Sequence, residues 1–83
     1  MIRVEQILGA RAILRWSAKK LSEMSGVSLP TIQRMEGARG LRRSSVESVL
    51  KVQQALEEGG IIFINQNEDT GPGVRLKDPI RDN

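Results

Sequence analysis

The stretch SGVSLPTIQRMEGARG, Ser25 to Gly40, decides how this chain is read. Gly26 supplies the left-handed residue that ends one helix, and Ser28 offers its hydroxyl as the N-cap of the next. Pro30 is tolerated there because backbone N–H groups in a helix's first turn have no intrahelical acceptor to lose. Ile32 and Met35 stand three apart as a buried stripe, so Leu29, Pro30, Gln33 and Arg34 point outward. Gly37 and Gly40 close the helix.

Upstream, Ser17 caps a shorter helix whose stripe is Leu21 and Met24. Two short helices separated only by Ser25, Gly26 and Val27 match a helix-turn-helix. In that motif the first helix crosses a phosphate backbone, and the second lies in the major groove with its N-terminal residues at the base edges. The outward residues suit this. Leu29 and Pro30 can touch thymine methyl groups, Thr31 can hydrogen-bond a base or phosphate, and Arg34 can reach O6 and N7 of guanine, with Gln33 on the same face. The opposing reading of Leu29 is a single exposed leucine of a small protein, which is common.

Further out, Val4, Ile7, Leu8, Arg11 and Leu14 recur at three- and four-residue steps and predict a first helix from about residue 3 to Arg15. After the basic segment ARGLRR, Ser44 or Ser45 caps a fourth helix with Val46, Val49, Leu50 and Leu56 inward, and Glu47 is placed to complete a capping box with Ser44. Gly59 and Gly60 stop it. The period then changes: IIFI is β-prone, GVRLK alternates, and NQNEDTGPG between them is turn-rich, so a hairpin with a long loop is expected. The predicted fold is mainly α, four helices followed by a C-terminal β-hairpin. Its parts are a helical domain (1–60), a hairpin (61–78) and a flexible tail (79–83).

Composition narrows the chemistry. An 83-residue chain with two aromatic residues, Trp16 and Phe63, must build one modest core from aliphatic side chains. With no cysteine and no histidine it has no disulfide, no thiolate nucleophile and none of the usual zinc ligands. No clustered carboxylates or Gly-rich phosphate loop suggest an enzyme, and neither metal nor cofactor is expected. There is no apolar run of membrane-spanning length, and charges in MIRVEQILGAR stand where a secretory signal needs its apolar core, so a cytoplasmic protein is expected. The net charge is +3, but residues 1–60 carry ten Lys and Arg against six Glu, whereas residues 61–83 carry three against four acids. That excess is densest at Arg34, Arg39, Arg42 and Arg43, which points to a polyanion or, more blandly, to a solvated basic face.

The segment WSAKKLSEMSGVSLPTIQRMEGARG, and more loosely Ile7 to Leu56, resembles the Xre/Cro-type (lambda repressor-like) helix-turn-helix regulators. The match rests on Leu21, Gly26-Val27-Ser28, Thr31-Ile32 and Glu36 before a glycine. The resemblance implies a four-helix DNA-binding domain in a bacterial transcriptional regulator of a prophage, mobile element or neighbouring operon. It also implies a structural ion pair between Arg11 and Glu36, which accounts for an arginine inside an apolar stripe. The chain departs from the pattern at Ala18, where the family often has a phosphate-clamping glutamine. Ser17, Lys19 and the backbone N–H groups at the helix start are the substitutes at hand.

These readings assign base contacts to Leu29, Pro30, Thr31, Gln33 and Arg34, and phosphate contacts to Ser17, Lys19, Ser28, Arg39, Arg42 and Arg43. Lys19 and Lys20 also read as a plain solvated face, and Trp16 reads as a packing residue at a helix junction rather than a stacking platform. IIFI could pack on its own domain or pair across a dimer axis. The second is preferred because a lone hairpin is marginal, placing Ile61, Ile62, Phe63, Ile64, Val74 and Leu76 in a homodimer interface. The expected partners are a double-stranded operator with inverted half-sites, a second copy of the chain, and RNA polymerase or a regulatory protein. The rival function is a protein-interaction module, such as an antitoxin or antirepressor, in which DNA binding is secondary.

Overall fold

A computed structural model describes residues 1–82. It contains α1 (Val4–Leu14), α2 (Ala18–Ser25), α3 (Leu29–Met35), a 3₁₀ turn (Gly40–Arg43), α4 (Val46–Glu58), β1 (Ile61–Ile64) and β2 (Gly73–Leu76). The chain is thus mainly α with a C-terminal antiparallel hairpin, as its periodicity predicts. Among the described residues no helix is long and apolar enough to cross a membrane.

Three serines start three helices by the same device. The hydroxyls of Ser17, Ser28 and Ser45 accept from the backbone N–H three residues on, at 2.9 Å from Lys20, 3.4 Å from Thr31 and 3.1 Å from Ser48. Each such cap contributes about 1 kcal/mol by satisfying a donor that the helix itself leaves orphaned. The fourth helix therefore starts from Ser45, and the Ser44–Glu47 box does not form; Glu47 pairs with Lys51 one turn on, at 3.2 Å. Gly26, at φ 74°, ends α2 as expected. The α2–α3 turn is Gly26 to Ser28, one residue later than the sequence suggests, since Ser25 is still helical. Side chains lock it: Ser22 Oγ donates to the Val27 carbonyl at 2.6 Å, and Val27 N–H donates to Ser25 Oγ at 3.2 Å.

Ile7, Ala10, Leu21, Ile32, Met35, Val49, Val52, Ala55 and Leu56 form the centre of the core. The α3 stripe is as read, with Ile32 and Met35 fully enclosed. Elsewhere the inward faces are rotated from those predicted. Leu8, Met24, Val46 and Leu50 are exposed, while Val52 and Ala55 on α4 and Gln6 and Ala10 on α1 turn inward. Helices this rich in aliphatic residues carry apolar side chains on more than one side, and the neighbours that pack against them select the face.

The hairpin packs against the helices of its own chain. Ile61 pairs with Leu76 and Phe63 with Val74, and these four residues face the chain's own helices. Ile61 is core, and Phe63, Val74 and Leu76 are half-buried cover over it; of the six residues expected at a dimer interface, Ile62 and Ile64 project from the outer face. Two features hold the hairpin in place. Gly9 lets β2 come close, since a Cβ there would sit 3.2 Å from Val74 Cγ2. Buried Gln6 is a polar rivet, accepting from Arg3 N–H at 2.8 Å and donating to the carbonyls of Ile64 and Gly73 at 3.0 Å each. Residues 1–60 and 61–78 accordingly share one core. The long loop is ordered by Asn67, whose side-chain oxygen accepts from the N–H groups of Asp69 and Thr70 at 2.8 Å. Residues 79–82 form no regular structure, and the end of the predicted tail, residue 83, lies outside the described residues.

Candidate nucleic-acid interface

The outward side of α3 is set by its buried side. With Ile32 and Met35 in the core, Pro30, Gln33 and Arg34 are exposed and Leu29 and Thr31 half-buried. All five expected base-reading residues therefore lie on or at the rim of one surface. Local hydrogen bonds order its polar members. Ser28 Oγ donates to Thr31 Oγ1 at 2.9 Å, and Arg34 Nη2 donates to the same oxygen at 3.0 Å. Arg34 is held over the first turn of α3 with its other N–H groups free, enough for a two-pronged contact to a flat acceptor pair. Thr31 serves that arginine, and Ser28, which already donates to Thr31, would have to exchange a partner to donate to a phosphate.

The start of α2 presents Ser17, Lys19 and Lys20, all exposed. Ser17 Oγ spends acceptor capacity on the cap and keeps its proton for another acceptor. The basic segment after α3, expected to be a loop, is a 3₁₀ turn pinned by half-buried Leu41, its one apolar residue. Residues three apart eclipse in 3₁₀ geometry. Arg39 and Arg42 accordingly line one cleft, while Arg43 is not part of that wall. Spacing along the chain groups these three arginines as one cluster; the turn separates them into two and one. It also brings in Arg3, which that spacing does not single out: Gly40 approaches the start of α1, with 4.0 Å between its Cβ position and Val4 Cγ1.

Arg11 and Glu36 meet in a two-pronged ion pair, Nε to Oε2 and Nη2 to Oε1, both at 2.8 Å. The third donor of the guanidinium goes to the Trp16 carbonyl at 3.0 Å. The pair joins α1 to the residue that caps α3, so it fixes the pitch of the recognition-like helix against the rest of the fold. Trp16 packs as a junction residue: its ring covers Gly59, where a Cβ would come within 2.8 Å of Cη2.

Searches of protein-family models, curated proteins and solved structures found no match to this chain. The functional reading therefore rests on residues and geometry.

Proposed function

We propose that this chain is a sequence-specific, double-stranded DNA-binding transcriptional regulator of the Xre/Cro helix-turn-helix type, cytoplasmic in a bacterium and acting as a homodimer on an inverted-repeat operator. The observation that carries the reading is the α2–turn–α3 unit, with Pro30, Gln33 and Arg34 exposed on the helix that follows a three-residue turn. That arrangement suits a helix whose opening residues enter a major groove. Lys19, Lys20, Arg39, Arg42 and Arg43 flank it as exposed cations suited to phosphates. The homodimer is supported by Ile62 and Ile64, two isoleucines on the outer hairpin face that the chain's own core leaves uncovered.

The test is selection of binding sites from randomised duplexes by the purified full chain. Arg34 calls for a guanine, and Leu29 and Pro30 for neighbouring thymines. Two such half-sites should recur as an inverted repeat centred roughly 34 to 36 Å apart. Repeating the selection with Arg34→Ala should relax one base pair per half-site, a loss of about 1–3 kcal/mol in discrimination. Equal weakening of selected and random DNA would make Arg34 a phosphate contact. No enrichment from the pool by the native chain would remove the DNA-reading proposal.

A further inference from the structure

A cleft of about 760 Å³ opens between the first turn of α1, the 3₁₀ turn and the hairpin loop. None of its lining residues belongs to α2 or α3, although Arg39 and Arg42 are also among the phosphate contacts proposed above. Arg3, Arg39 and Arg42 line it with a single carboxylate, Glu5. None of the three arginines has a carboxylate partner among the described residues, in contrast to Arg11. Three guanidiniums without carboxylate partners on one concave surface offer forked donors to an anion with several acceptor oxygens.

The rest of the lining limits the anion's size and character. The cleft is wide and open to solvent, with more room than one phosphoryl group fills. Leu41 and Pro72 supply apolar wall, and Asn65 and Gln66, from the loop ordered by Asn67, supply amide donors and acceptors. Glu5 adds an acceptor for a hydroxyl or amine. We propose that this cleft binds a phosphorylated small molecule of mononucleotide size, its phosphate on Arg3, Arg39 and Arg42 and its uncharged portion towards Leu41, Pro72, Asn65 and Gln66. Arg39 and Arg42 are shared with the phosphate contacts proposed for DNA, whereas Arg3 and the hairpin loop belong to neither half of the helix-turn-helix and set this site apart from it.

Calorimetric titration of the full chain with adenosine 5′-monophosphate, adenosine and inorganic phosphate tests it. The monophosphate should bind at least tenfold more tightly than either the nucleoside or phosphate alone. Arg3→Ala and Arg42→Ala should each weaken it at least fivefold with circular dichroism and melting temperature unchanged, because both side chains are exposed and neither is paired with a carboxylate. Arg81→Ala, which removes a cation outside the cleft, should leave it unaltered. Equal affinity for nucleoside and monophosphate, or indifference to Arg3→Ala and Arg42→Ala, overturns the proposal. A parallel arm titrates duplex DNA: if the two variants weaken the duplex while the native chain takes up no monophosphate, these arginines serve a DNA backbone and the small-molecule assignment falls.

Discussion

Arg11 lies in the last turn of α1, and its side chain is 21% exposed against 11% for Glu36. A charge so far removed from water is tolerated because three of its donors are satisfied at once, two by the carboxylate and one by a carbonyl. Removing one partner strands the other. Glu36→Ala should cost about 3 kcal/mol, the lower end of the range for breaking a buried pair because part of Arg11 remains in water. Urea unfolding measures it, and an unchanged midpoint would mean that the pair is held by the fold rather than holding it. The charge in an apolar stripe is a visible anomaly in the sequence, and the family resemblance supplies its partner. Gln6 offers no such signal. Its acceptors, the carbonyls of Ile64 and Gly73, are 58 and 67 residues away in sequence, and nothing in the local pattern marks a glutamine for burial.

Among the elements, α1 ends in an unusual way. Arg15 takes the left-handed conformation, φ 58° and ψ 36°, a role that glycine fills at the end of α2. A side chain there costs roughly 1 kcal/mol through its Cβ. Arg15→Gly should therefore raise the melting temperature by about 4 to 8 °C per kcal/mol recovered, less the entropy that glycine returns to the unfolded chain. A lower melting temperature would show that the arginine side chain contributes packing that outweighs the backbone strain. The 3₁₀ turn carries the second prediction at this scale. Under the DNA-binding reading, Arg39→Ala, Arg42→Ala and Arg43→Ala should each lower the salt slope of binding by about 0.9, the value for one phosphate neutralised, equally for all sequences. Because Arg43 is off the wall that Arg39 and Arg42 share, a slope that falls for those two and not for Arg43 would fix how the turn meets the backbone. An unchanged slope in all three places the turn away from DNA.

At the scale of the molecule, the hairpin has two faces with separate tasks. The inner one closes the core through Ile61, Phe63, Val74 and Leu76; the outer one carries Ile62 and Ile64. Cutting the chain after Gly60 would thus remove core as well as any interface, and loss of dimerisation in such a fragment would say little. Ile62→Glu combined with Ile64→Glu separates the two tasks. If the homodimer uses the outer face, the double variant should be monomeric in light scattering at concentrations where the native chain is dimeric, with an unaltered melting temperature for the isolated subunit. A variant that remains dimeric rules out this face, and a native chain that is monomeric both free and on DNA rules out the homodimer.

Helix number, the caps at Ser17 and Ser28, the glycine stop at Gly26 and the change of period after Gly60 were all determined by the sequence, because each depends on interactions spanning four residues or fewer; the choice of Ser45 over Ser44 was not. The outward set on α3 belongs with them: burying Ile32 and Met35, three apart, leaves Pro30, Gln33 and Arg34 in water with Leu29 half-buried at the rim. Only the tertiary structure decided which sides of α1 and α4 face inward, since aliphatic residues at Leu8, Val46 and Leu50 compete with Ile7, Val49 and Val52 until neighbouring elements exclude one set. It also decided that the hairpin completes its own domain, through Gly9 and Gln6, and that Arg3 stands beside Arg39 and Arg42. Those juxtapositions arise from packing between segments distant along the chain, which local spacing does not encode.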